Sequence, residues 1–228
     1  MQTSRKIAVL VGVLFIIATG AAVVQFPLIS ATNAPDYLVQ ITADNSLMVT
    51  ALLCELLMIA AVVAIPVVIY PVLKQHCQHL ARGYLVARIF EAIPLAISAA
   101  GFLLLFVLSR EYVAAGAPDA PHFETLGALF RAEWDLWMLI GGQLVFCLTA
   151  LILNVGLYRA RLVPRLISIW GLIGVPLMFT GAILVLYGVI GETSTAQTLL
   201  MLPLAVQEMV FALWLIIRGF SPTAAATS

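Results

Sequence analysis

Arg88 and Glu91 stand three residues apart in RGYLVARIFEAIP (82–94), inside an apolar run that extends from Leu80 to Leu108. Residues at i and i+3 share a helix face, so the guanidinium and the carboxylate can pair. Ionisable groups at membrane depth are costly, and they face a bundle interior or a water-filled cavity. Other apolar runs contribute Glu55, Gln143 and the neighbours Gln207 and Glu208. At about 1.5 Å of rise per residue, Glu91 lies ~13–15 Å inside its run, and Glu55, Gln143 and Glu208 lie at similar depths. In a hydrocarbon core of about 30 Å these side chains make one polar layer near the midplane. The candidate ligand-binding residues are therefore Arg88, Glu91, Glu55, Glu208, Gln143 and Gln207.

The charges in this layer do not balance. Three carboxylates face one guanidinium, and if Arg88 pairs with Glu91 the other two have no basic partner in any span. Glu55 and Glu208 then carry a proton, or hold a cation or a cationic ligand. Plainer readings stand beside this one. A protonated glutamate can bond across helices as glue, and Arg88, ~9 Å from the end of its run, can snorkel to the interface. Pro94, Pro176 and Pro203 free the carbonyls of Phe90, Leu172 and Leu199, which bend a helix or line a cavity.

Other chemistries find less support. His76–Cys77–Gln78–His79 has metal-like spacing but no acidic partner, and it sits between Lys74 and Arg82. No metal site is expected there. There is no G-x-S-x-G elbow, no H-E-x-x-H pair and no Gly-rich phosphate loop, so no catalytic nucleophile and no cofactor are expected. Cys54, Cys77 and Cys147 form no disulfide framework. A formal net charge of zero argues against a nucleic-acid partner.

The elements that must position the polar layer are membrane helices. The 228 residues are 63% hydrophobic and 10% charged, with a mean hydropathy of +1.11, far from the composition of a soluble globule. One integral membrane domain over residues 1–228 is expected, all-α, with spans at about 7–29, 47–73, 80–108, 134–158, 162–190 and 196–218. The first run is longer than a signal peptide's apolar region and is read as a retained span. Asp44–Asn45–Ser46 supplies a cap for the second.

Loop charge sets the orientation. Arg5, Lys6, Lys74, Arg82, Arg159, Arg161, Arg165 and Arg218 fall on one side, and Asp36, Asp44, Glu111, Asp119, Glu124, Glu133 and Glu192 on the other. The positive-inside rule places both termini in the cytoplasm. Trp134 and Trp137 then mark the outer interface, and Tyr70, Tyr84, Tyr158, Trp170 and Trp214 the inner one. The long outer connection 110–133 contains Phe123, Leu126 and Phe130, which predict a short helix on the membrane surface. Tyr37–Leu38–Val39 predicts a second interfacial piece. Gly174, Gly181 and Gly188 recur every seven residues, a line along which another helix can approach closely, including one from a second copy of the chain.

Four stretches carry a family resemblance: LYRARLVPRLISIWGLIG from Leu157, LPLAVQEMVFALWLIIRGF from Leu202, VAIPVVIYPVLK, and RIFEA around the Arg88–Glu91 pair. Together they resemble the bacterial membrane-protein family called domain of unknown function 4386, over nearly the whole chain. Arg165–Leu166 departs from the Pro-Arg-Trp expected there. The resemblance implies a multi-helix protein of the bacterial plasma membrane and implies no activity. The residues themselves favour binding or transport of a small cationic or lipid-like ligand through the polar layer, although no internal repeat links the two halves. The alternatives are a structural or regulatory protein packed against a membrane partner, and a lipid-acting enzyme using Glu91 or Glu208 as acid or base.

Overall fold

The computed structural model describes residues 2–24, 34, 36–43, 45–117 and 121–221. Asp44 of the expected cap, residues 25–29 of the first run and Pro118–Asp119–Ala120 of the long connection lie outside the described residues. The chain forms α1 (Gln2–Val24), α2 (Tyr37–Ala43), α3 (Asn45–His76), α4 (Gln78–Ala114), α5 (Pro121–Ala160), α6 (Arg165–Leu186) and α7 (Thr195–Ile217). No strand occurs among the described residues. Six of these helices are long and apolar enough to cross a membrane. Their uninterrupted apolar runs dictate this, because backbone groups in lipid must be satisfied within the segment.

The six long helices close into a ring in chain order. α1 packs on α3, α3 on α4, α4 on α5, α5 on α6, α6 on α7, and α7 returns to α1. They alternate in direction, so the bases Arg5, Lys74, Arg82, Arg159, Arg165 and Arg218 gather at one end and Glu111, Glu124, Asp135 and Glu192 towards the other. The basic-end core holds Phe15, Ile65, Tyr84, Leu157, Phe211 and Leu215. At the acidic end, α2 inserts Leu38 and Ile41 against Phe102, Leu105 and Trp134.

Two expectations are corrected here. Phe123, Leu126 and Phe130 belong to no separate surface helix; they lie in the first turns of α5, which runs from Pro121 without a break. α4 in turn continues to Ala114, so most of the supposed long connection is helix. Pro121 suits the first turn of a helix, where its missing N–H is not needed, and the apolar spacing after it continues into the span. Trp134, expected in the outer aromatic belt, is buried against Phe102 at the acidic end, with ring centroids 5.5 Å apart.

The ring closes on small residues. At Gly12 a Cβ would come within 2.6 Å of the Ala212 carbonyl oxygen, so glycine is what lets α1 lie against α7. Gly174 likewise meets the Leu204 backbone, where a Cβ would stand 3.1 Å from Cα and N. Gly181 faces Gln197 and Leu200 on the same helix. These two glycines therefore serve α6–α7 packing within the chain. Gly188 instead ends α6, with a φ of +68° and its N–H donated to the Val185 carbonyl at 2.8 Å.

Arg5 fastens the closure. Its guanidinium donates to the carbonyls of Leu215, Ile216 and Ile217 at 3.1, 2.6 and 3.1 Å, satisfying the last turn of α7. The group is exposed, so Arg5→Ala is expected to cost only about 1 kcal/mol. A lower melting temperature of the purified protein, partly restored in Arg5→Lys, would show it. An unchanged value in Arg5→Ala would mean that the clamp contributes nothing.

Candidate functional site

Arg88 is 2% exposed and sits inside the ring, so it does not snorkel. Its Nη1 donates to Glu91 Oε1 at 2.8 Å, and its Nε to the Tyr84 hydroxyl at 3.1 Å. Tyr84, Arg88 and Glu91 fall at i, i+4 and i+7 on α4, one helix face. The second carboxylate oxygen of Glu91 accepts from the Thr149 hydroxyl of α5 at 2.6 Å. The carbonyl of Phe146 lies 2.9 Å from the same hydroxyl, so the two acceptors compete for its single proton. Three rings surround the guanidinium carbon, Tyr84 and Phe146 at 5.5 Å and Phe15 at 5.8 Å from ring centroid. A desolvated guanidinium gains from each such face.

Glu208 of α7 reaches the same cation. Its Oε1 lies 3.8 Å from Arg88 Nη2, so the expectation that Glu208 lacks a basic partner is corrected. The distance is ion-pair range and too long for a hydrogen bond. Glu91 is thus locked on both oxygens, while Glu208 is the looser carboxylate. One cation facing two anions leaves the cluster formally negative.

Beside it is a cavity of about 180 Å³ lined by Arg88, Glu91 and Glu208 at its polar end. Its walls are apolar, among them Phe15, Met58, Phe146 and Met201. Ala22 of α1 and Ala205 of α7, also lining it, are exposed. Gly142 contributes from a π-helical stretch in α5, Ile140–Val145. Such a turn carries one residue more than an α turn, and it is frequent at functional sites.

The other expected residues do not join this cluster, so the single polar layer resolves into separate groups. Gln143 accepts from the Gln197 amide at 2.5 Å, between α5 and α7. Gln207 donates to Asn154 Oδ1 and to the Ile167 carbonyl, both at 3.2 Å. Glu55, 1% exposed, lies beside Ser98 and Trp134 towards the acidic end. Depth estimates place residues along the membrane normal but not around the helix axis, which is why a continuous layer is expected from the sequence.

Sequence reasoning also misses participants. Tyr84, expected in the interfacial belt, is 1% exposed against Arg88; its i−4 spacing from the arginine is the available signal. Thr149 and Gln197 have no such signal, since each meets its partner across helices. Outside the spans, burial and the neighbouring Asp135 push the Glu192 carboxyl up to about 7, against the opposing pull of Arg131. Among the described residues, no group of three His, Cys, Asp or Glu side chains could hold a metal ion.

No curated protein and no solved structure matches the chain. A family model does: it matches residues 7–219, which include every side chain of the Arg88 cluster. The chain therefore belongs to the family described as Domain of unknown function (DUF4386).

Proposed function

We propose that this is a bacterial plasma-membrane protein that binds a small lipophilic cation in the Arg88 cavity, with Glu208 as the counter-charge, as a step in its transport. The observation that carries the reading is Glu208 lining an apolar-walled cavity while meeting Arg88 only at 3.8 Å. Glu91 and Arg88 hold the anionic end in place. Glu208 is the member free to exchange its partner for a ligand. Phe15 and Phe146 line the same space, and aromatic faces favour quaternary ammonium groups. The segregation of basic residues to the end where α1 begins and α7 finishes supports a cytoplasmic location for that end.

The test is titration of tetraethylammonium into the purified protein in lipid nanodiscs. Glu208→Gln keeps the shape and removes the charge, and it is expected to weaken binding at least tenfold, about 1.4 kcal/mol. Equal affinity in wild type and Glu208→Gln would sink the proposal. Absence of binding by any of several tetraalkylammonium sizes would favour the structural role, in which the cluster only joins helices.

A further inference from the structure

The walls of the Arg88 cavity are unequal. The residues that α3, α4 and α6 contribute to its lining are all buried, and those of α5 are half-buried. The exposed lining residues are Ala22 of α1 and Ala205 of α7, the two helices that close the ring. Towards the basic end these helices press together, with Gly12 against the Ala212 carbonyl and Phe15 against Phe211. Ala22 stands seven residues beyond Phe15 and Ala205 six before Phe211, so in this antiparallel pair the two alanines are level. At Gly20, beside them on α1, an added Cβ would meet nothing within 4 Å.

The rim of this opening is apolar. Beyond Lys6, α1 carries no charged residue, and α7 carries only Glu208. Val23, next to Ala22, is 65% exposed, and Leu202, one turn from Ala205, is 50% exposed. Ala205 comes ten residues after Thr195, ~15 Å from that end of α7, so the rim faces hydrocarbon and not water. Glu208 follows Ala205 by three residues and shares its helix face. The Glu208 side chain is 15% exposed, against 3% for Arg88 and 2% for Glu91. The looser carboxylate is therefore also the less enclosed one.

We propose that the ligand is a cationic amphiphile with one alkyl chain, which enters from the bilayer between α1 and α7. Its head rests on Glu208 and its chain passes out between Ala22 and Ala205. This rests on the cation reading above and adds to it the chemical class of the ligand and its route. A charged head on an alkyl chain is confined to the membrane, and the head still needs a counter-charge there. A carboxylate one turn from a lipid-facing gap meets both needs, because the chain stays in hydrocarbon while the head takes up Glu208 and the ring faces of Phe15 and Phe146. A small hydrated cation arriving at this rim would meet no polar group to replace its water.

Two probes bound to the protein in lipid nanodiscs test this, with empty nanodiscs subtracting uptake by the lipid. Tetraethylammonium has no long chain, and dodecyltrimethylammonium has one. Wild type should hold both, and Glu208→Gln should weaken both by about tenfold. Ala205→Phe puts a ring into the gap and keeps every charge. It should weaken dodecyltrimethylammonium by about tenfold and leave tetraethylammonium within about twofold of wild type. Ala22→Phe should do the same from α1, so the result does not hang on one variant folding. Dodecyltrimethylammonium held equally by wild type and both phenylalanine variants overturns the route through the gap and leaves the cavity reading standing. An equal loss of both probes in both variants overturns it as well. Undiminished binding in Glu208→Gln, or no binding of either probe to wild type, overturns the cavity reading and this inference with it.

Discussion

Arg88→Met is expected to destabilise the protein by about 3–5 kcal/mol, the usual cost of stripping one partner from a buried ion pair. Glu91 would keep the Thr149 hydrogen bond but lose the donor on its other oxygen. Glu208 would lose the cation beside it. Tyr84, Phe15 and Phe146 would surround a thioether in place of a guanidinium, and that exchange is mild. Most of the loss thus comes from two carboxylates left behind rather than from the arginine removed. Arg88→Met combined with Glu91→Leu and Glu208→Leu should therefore recover much of it, since apolar replacement of a whole buried ionic group is often neutral. Unfolding midpoints in mixed micelles measure both. A single Arg88→Met variant within about 1 kcal/mol of wild type would mean that the guanidinium is not held as described.

Gly12→Val carries the other large effect. The first added carbon meets the Ala212 carbonyl oxygen at 2.6 Å and Ile216 Cγ1 at 2.7 Å, and the oxygen is backbone that cannot rotate aside. α1 must move away from α7, at a cost of about 1–3 kcal/mol. The same movement withdraws Phe15, Ala18 and Thr19 from the cavity that Met201, Ala205 and Glu208 line from the other side. Tetraethylammonium binding should weaken together with stability. Gly20 lies on the same helix with nothing within 4 Å of an added Cβ, so Gly20→Val should change stability by less than about 0.5 kcal/mol. Equal behaviour of the two variants would refute the close α1–α7 contact.

The helices are legible because the signal for them is one-dimensional. An apolar run long enough to span lipid has one stable form, so six spans follow from hydropathy, and charge at the run ends sorts the loops. The Arg88–Glu91 pair is legible for a similar reason, as its spacing lies within a single helix. What crosses between helices is not. Nothing in the sequence of α7 says that Glu208 turns towards Arg88 and Gln207 towards Asn154, although the two residues are adjacent. Trp134 and Tyr84 show the same limit: aromatic residues near run ends usually sit in the headgroup region, and here rotation about the helix axis buries them. The π-helical stretch at Ile140–Val145 leaves no mark except the Gly141–Gly142 pair. It changes the angular relation between Trp134 and Thr149, so one helix serves two polar places.

The closure of α1 onto α7 bears on how the molecule is made. Helices leave the ribosome in order, first to last. α3 and α4 are joined through the single residue Cys77, and α5 and α6 through residues 161–164, so each pair can enter the bilayer as a ready hairpin. The ring cannot be completed that way. Phe15 finds Phe211, with centroids 5.3 Å apart, and Arg5 finds the last carbonyls of α7, only after some two hundred intervening residues have been synthesised. Until then Arg88 has Glu91 but not Glu208, and one flank of α1 has no protein neighbour. α7, translated after the other five spanning helices described, is the one that shuts the ring, and a nascent chain that stalls before it displays an open, charged cleft to whatever surveys unfinished membrane proteins.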